Sequence, residues 1–292
     1  GHIHEARVVH VVLPDRAAER WRAPRSAPAF EGRLEALASS GRCAQMTTPL
    51  DQGEGIEPGE LIGTEDCLYL DIYAPAGAGE GDDLPVMVWI HGGGNRTGHG
   101  GLYDFSQMAE RFGLVMVAFN YRLGGLGWFY QPSLWSDDDD SLDRSGNFGL
   151  LDQVQVLRWV QENIRVFGGD PQKVTIFGES AGGQNTLALM ISPVSEGLFA
   201  GAIAQSGYTS STTPHRASEA SGENAGASGE MLLYWLQEES LAETRESALD
   251  LSRSMSPAEI AAFLRSRTPT QVVMDYYAES RNHTAPIMIR DG

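Results

Sequence analysis

Phe167-Gly168-Gly169-Asp170-Pro171-Gln172-Lys173-Val174-Thr175-Ile176-Phe177-Gly178-Glu179-Ser180-Ala181-Gly182-Gly183 reads as a buried strand running into a sharp turn with a serine at its tip. Val174, Ile176 and Phe177 suit a central strand, and Gly178-Glu179-Ser180-Ala181-Gly182 fits the pattern G-x-S-x-G. That pattern builds a nucleophile elbow, which holds a serine hydroxyl proud of the sheet at the start of a helix. Glycines two before and two after the serine keep side chains out of a turn too tight for Cβ atoms. The pattern also arises by chance in a chain with 34 glycines, so its surroundings decide. The strand before it and the apolar run Leu187-Ala188-Leu189-Met190-Ile191 after it supply the context that an elbow requires. The plain alternative is a glycine-serine loop without chemistry.

A second segment indicates what the serine is for. Val86-Met87-Val88-Trp89-Ile90 is another buried strand, and it ends in His91-Gly92-Gly93-Gly94. Acyl transfer develops a negative oxygen that needs donors already aimed at it. Consecutive glycines let a backbone approach a substrate closely with its N–H groups free. Loops of this kind form the oxyanion hole of lipases and esterases together with the N–H of the residue after the nucleophile, here Ala181. Read alone, the four residues fit a flexible turn equally well. The expected geometry has the Ser180 hydroxyl facing the backbone of Gly93 and Gly94 across a small gap.

The chain resembles the N-terminal part of a type-B carboxylesterase/lipase, a family within the α/β hydrolases. The elbow with its Phe167-Gly168-Gly169-Asp170-Pro171 lead-in carries the match, as does Glu65-Asp66-Cys67-Leu68-Tyr69-Leu70-Asp71-Ile72-Tyr73-Ala74-Pro75. Asn120-Tyr121-Arg122-Leu123-Gly124, Gly146 to Gln153, Trp159-Val160, Asn163-Ile164 and Gln205-Ser206-Gly207 match in the same order. The resemblance runs from about residue 20 to the last residue. It implies an α/β-hydrolase fold, with a mostly parallel sheet and helices on both faces, within a single domain over 1–292. It also implies a disulfide between the two cysteines, Cys43 and Cys67, ahead of the Glu-Asp-Cys-Leu strand. Such a bridge implies export, secreted or periplasmic, whereas a cytosolic location would leave two thiols.

Length and composition agree with that reading. A chain of 292 residues can bury the core of one large α/β domain. No apolar run approaches the length of a membrane span. The net charge of −18 argues against nucleic acid or an anionic membrane as partner, because both attract basic patches. Lys173 is the sole lysine among the basic residues, which points to a GC-rich genome rather than to function. No initiator methionine or signal peptide stands at Gly1, which fits a mature form or a fragment. His2 and His4 are read as chance histidines at a frayed end rather than a metal pair.

Strands are expected near 7–13 as an edge, then at 68–74, 85–91, 114–120, 173–177 and 201–205. Residues 20–62 read as irregular cover. Leu150 to Ile164 has the apolar spacing of an amphipathic helix. Strand–helix–strand alternation implies parallel strands with helices on both faces. Ser136-Asp137-Asp138-Asp139-Asp140-Ser141 reads as an acidic surface loop rather than a calcium site, since it lacks glycine-turned ligand spacing. Residues 209–229 read as a loop entering a helix that continues through Leu232 to Leu236. Ser256-Pro257-Ala258-Glu259 is a helix cap opening a helix to about Arg265, and Thr268-Pro269 opens another.

An α/β hydrolase orders its triad as serine, then an acid, then histidine. Only His215 and His283 follow Ser180. His215 sits in a polar loop close behind a strand, and His283 lies just before the final segment. In the family both partners come much later, and Pro286 to Gly292 resembles a segment near the middle of the full protein. The chain is therefore expected to stop about halfway, before the last strands, the acid and the base. Glu179 neighbours the nucleophile and in the family tunes the pocket; a buried, structurally paired acid is the alternative. The loop from Cys43 to Cys67 lacks the tryptophan with which cholinesterases bind quaternary ammonium, which disfavours choline esters. Asn95 stands where an aromatic is common and is expected to make the pocket wall more polar.

These readings converge on a carboxylic-ester hydrolase. Ser180 is the nucleophile, Gly93, Gly94 and Ala181 form the oxyanion hole, Glu179 lies at the pocket, and the substrate is a small-molecule ester. Neither a metal nor an organic cofactor is implied. A non-catalytic interaction protein on the same fold and an inert truncated product are the alternatives, and fold analogy alone does not separate them.

Overall fold

The computed structural model describes residues 7–12, 20–25, 41–49, 55–222, 226–279 and 288–290. Its strands are β1 (Arg7–Val12), β2 (Gln45–Met46), β3 (Leu61–Ile62), β4 (Tyr69–Ala74), β5 (Leu84–Ile90), β6 (Val115–Phe119), β7 (Gly169–Glu179), β8 (Gly201–Gln205), β9 (Ser211–Thr212) and β10 (Met288–Ile289). Its α-helices are α1 (Ser106–Phe112), α2 (Gly124–Gly127), α3 (Phe148–Asn163), α4 (Ala181–Ile191), α5 (Pro214–Ser218), α6 (Ser228–Glu238), α7 (Arg245–Ser254), α8 (Pro257–Arg265) and α9 (Pro269–Glu279).

Six strands form the central sheet in the order β1-β4-β6-β5-β7-β8. The four strands β6, β5, β7 and β8 run parallel. β4 is antiparallel to both β6 and β1, so the sheet is parallel where the elbow lies and antiparallel at its far end. Alternate side chains feed opposite faces, as strand geometry demands. Val115, Val117 and Phe119 join Val86, Val88, Ile90 and Ile176 in one core, against Leu150, Val154, Leu157 and Val160 of α3. Met116 and Ala118 join Trp89, Tyr73 and Ala109 of α1 on the other face. Helices thus cover both faces, as the alternation implied. A third cluster under Trp21 and Phe129 gathers Leu232, Trp235 and Leu236 of α6 with Leu264 and Val272 of α8 and α9.

The covering loops are held by polar clasps. Arg122 forks onto Asp152 of α3, with Nε donating to Oδ2 at 2.8 Å and Nη2 to Oδ1 at 2.7 Å. Cys43 and Cys67 form a disulfide with Cα atoms 4.8 Å apart. Asn147 donates to the carbonyl of Ile289 and accepts its N–H, both at 2.9 Å, which moors β10 beside β9.

Two features depart from the expected layout. The stretch read as a loop at 209–229 holds β9 and the short helix α5, which starts because Thr213 caps the Arg216 N–H and Pro214 fits the first turn. α7 has no counterpart in the sequence reading. Thr244 and Ser247 cap each other reciprocally there, and Ala248 is its buried residue. In the acidic loop, Asp139 accepts from the Ser136 N–H and hydroxyl, while Arg25 reaches Asp140 and Asp143. Those carboxylates are taken up by the loop and by arginine. Among the described residues no group of three or more His, Cys, Asp or Glu could hold a metal ion, and no helix is long and apolar enough to cross a membrane.

Candidate active site

β5 and β7 are parallel neighbours with Ile90 opposite Gly178, so their C-terminal ends open side by side. The glycine loop leaves one and the elbow leaves the other. A Cβ on Gly92 would stand 2.8 Å from the Glu179 carbonyl oxygen and 3.5 Å from Ser180 Cβ, which places the loop directly against the elbow. The bare backbone at Gly178, Gly182 and Gly183 is needed for the same reason. Cβ atoms there would meet main-chain atoms of Gly182, Ile90 and Gln205.

Ser180 has φ 56° and ψ −117°, a conformation that L residues with side chains rarely adopt. Such strain persists only where the surroundings over-determine it. The Ser180 N–H donates to Gln205 O at the end of β8, and its carbonyl accepts from the Gln184 N–H in α4, each at 2.9 Å. Ser180 is the N-cap of α4, yet its side chain makes no capping bond. An N-cap serine ordinarily spends its oxygen on the first-turn N–H groups. Here Oγ makes no such bond, so both the hydroxyl and those positive N–H groups stay available. Ser180 is half-buried and Glu179 is exposed.

The loop is pinned carbonyl by carbonyl. His91 Nδ1 lies 2.8 Å from Gly92 O. A carbonyl only accepts, so the proton sits on Nδ1 and Nε2 keeps its lone pair. Burial holds His91 neutral, its pKa pushed down to about 4, with the bond to Gly92 opposing the shift. The ring stacks on Tyr121 at 4.2 Å. Gly93 O accepts from the N–H groups of Arg96 and Thr97, both at 3.1 Å, and from the Thr97 hydroxyl at 3.2 Å. In a trans peptide the N–H points opposite to the carbonyl. Fixing Gly92 O and Gly93 O therefore directs the N–H groups of Gly93 and Gly94 the other way. Among the described residues, no acceptor takes the N–H of Gly93, Gly94 or Ala181.

The Carboxylesterase family model matches residues 13–284. The chain belongs to that family. Cocaine esterase of Oryctolagus cuniculus is 47% identical over 190 residues, covering 64% of this chain and 34% of that protein. Fumonisin B1 esterase of Sphingopyxis macrogoltabida is 36% identical over 275 residues, covering 92% of this chain and 49% of that protein. A crystal structure of a Geobacillus stearothermophilus carboxylesterase superposes with a TM-score of 0.74 at 27% identity, over 100% of this chain and 53% of that one. A thermophilic PNB esterase gives 0.68 at 32% identity, over 90% and 48%. The fold is that of the α/β hydrolases, and the chain spans at most about half the length of these relatives.

Ser180, Ala181 and the glycine loop share one end of the sheet. His215 lies on α5 with its Nε2 3.1 Å from Glu219 Oε2, exposed at the surface. His283, His2 and His4 lie outside the described residues. Asn95 does not make a pocket wall more polar. It is fully buried, and its amide pairs with Asn185 of α4. Nothing local in the sequence marks Asn185 or Tyr121 as site residues, because their roles depend on contacts distant in sequence.

Proposed function

We propose that this chain carries the nucleophile and oxyanion hole of a carboxylic-ester hydrolase. Ser180 Oγ attacks the ester carbonyl, the alcohol leaves, and a serine acyl-enzyme forms that water then hydrolyses. The N–H groups of Gly93, Gly94 and Ala181 hold the negative oxygen of each tetrahedral intermediate. Glu179, exposed at the rim, contributes negative charge beside the serine. The substrate is a small-molecule ester. The Cys43–Cys67 bridge supports an exported location.

One observation carries the reading: a strained N-cap serine with an uncommitted hydroxyl abuts a glycine loop whose carbonyls are tied back. A plain glycine-serine turn has no reason to maintain that strain. The test is to express the full reading frame that encodes this chain, treat it with a fluorophosphonate, and map the adduct. Labelling of Ser180 with loss of p-nitrophenyl butyrate hydrolysis is the expected result. Labelling elsewhere, or undiminished hydrolysis by Ser180→Ala, would favour the non-catalytic alternative for this site.

A further inference from the structure

We propose that Asn95 and Asn185 form an amide clasp that sets the spacing between the oxyanion loop and the nucleophile helix, making both positioning residues for ester hydrolysis. The inference rests on the reading of Ser180 as nucleophile. Asn185 Nδ2 donates to Asn95 Oδ1 at 3.0 Å, and Asn95 Nδ2 donates to Asn185 Oδ1 at 3.3 Å. Both residues are wholly buried. Each amide thus satisfies a donor and an acceptor of the other, and losing either partner strands buried polar atoms.

The position of the pair gives it leverage. Asn95 follows Gly94 directly, and Asn185 stands five residues after Ser180. Asn95 has φ 54°, in the left-handed region that asparagine tolerates better than most residues with side chains. Its own carbonyl accepts from the Gly124 N–H at 2.7 Å. The Tyr121 hydroxyl donates to His91 O at 2.8 Å and lies 3.3 Å from Asn95 Oδ1, so one phenol touches both ends of the loop. The proposed hole is made by two elements, with Gly93 and Gly94 on the loop and Ala181 on α4. Its donors converge on one oxygen only if the loop and helix keep a fixed distance, and the clasp bridges that gap. A tetrahedral oxyanion draws on such donors far more than a planar ester does. The clasp should therefore act on kcat and leave KM nearly unchanged.

The experiment uses protein from the full reading frame, with Asn95→Leu, Asn185→Leu and the double variant. Each single variant should lose about 10- to 100-fold in kcat, less than or similar to deletion of one hole donor. KM should stay within about threefold, and affinity for a trifluoromethyl ketone should fall in step with kcat. The double variant should be no worse than the poorer single, as for residues acting as a unit. Asn95→Asp covers the case in which leucine prevents folding. A protonated carboxyl can still donate to Asn185 Oδ1, whereas a carboxylate cannot. The kcat ratio of Asn95→Asp to wild type should therefore rise as pH falls. The titratable neighbours, His91 and Tyr121, are held neutral by burial. Unchanged kcat, losses that multiply, a rise in KM alone, or a flat Asn95→Asp ratio would each overturn the clasp while Ser180→Ala is inactive. Full activity in Ser180→Ala would instead remove the nucleophile reading and the clasp with it.

Discussion

A Cβ built on Gly182 would stand 2.0 Å from the carbonyl oxygen of Ile90. The first turn of α4 therefore rests on the end of β5, with main chain touching main chain. Helix propensity and steric contact make opposite predictions here. Alanine is about 1 kcal/mol better than glycine within a helix. Forcing a methyl into a full space costs about 1–3 kcal/mol, and no rotamer change moves a backbone carbonyl. We expect Gly182→Ala to lower the urea midpoint and to slow fluorophosphonate labelling of Ser180. A raised midpoint would show that the elbow does not press on β5.

His91 makes stability depend on pH in a defined direction. Its folded pKa is depressed to about 4 from an ordinary 6.5. The unfolded chain therefore binds the extra proton first as pH falls, which favours unfolding. The contribution is intact above pH 6.5 and is lost progressively down to about pH 4. Each unit of pH inside that window is worth about 1.4 kcal/mol, so about 2 kcal/mol disappears between pH 6.5 and 5. His91→Gln should remove this part of the slope, as read from urea unfolding at the two pH values. Equal slopes in both proteins would show that His91 protonates freely in the fold.

The Cys43–Cys67 bridge closes a sequence separation of 24 residues. Chain-entropy arguments assign such a loop about 3 kcal/mol, through the freedom it removes from the unfolded state. Cys43→Ala/Cys67→Ala should lower the urea midpoint accordingly, and dithiothreitol should do the same to the parent but not to the variant. Gln45 supplies a route from this bridge to the active site: its amide donates to the carbonyls of Cys43 and Gly98 and accepts the Gly98 N–H. Reduction should therefore also weaken Ser180 labelling.

What was legible in the sequence was whatever its chemistry settles locally. The elbow and the glycine loop can be read because backbone crowding demands glycine at set offsets from Ser180. The Ser256–Glu259 box can be read because both of its hydrogen bonds fall within one turn, and the structure shows both. α7 was illegible because Ala248 is its buried residue, which leaves little apolar spacing to detect, and its box uses Ser247 in place of an acid or amide. Asn95 turns inward against expectation, because a polar residue after glycines carries no sign of which way it faces. Its partner lies 90 positions further on. The antiparallel placement of β4 between β1 and β6 was likewise a matter of pairing between distant segments.

The last prediction concerns the 292-residue chain by itself. A serine hydroxyl is a weak nucleophile at neutral pH unless a base takes its proton. Among the described residues no imidazole bonds to Ser180. His91 is buried and spends its proton on Gly92, and His215 is exposed against Glu219. Removing triad members costs orders of magnitude in rate even where an oxyanion hole remains. Among the described residues β8 is the last strand of the sheet, Ile203 on it is exposed, and so are Met190 and Ile191 at the end of α4. We therefore expect residues 1–292 alone to hydrolyse p-nitrophenyl butyrate barely above the Ser180→Ala background. Robust turnover by residues 1–292 that vanishes in Ser180→Ala would mean that this chain contains its own base. His283 would then be the first residue to replace, and a further loss in His283→Ala would identify it.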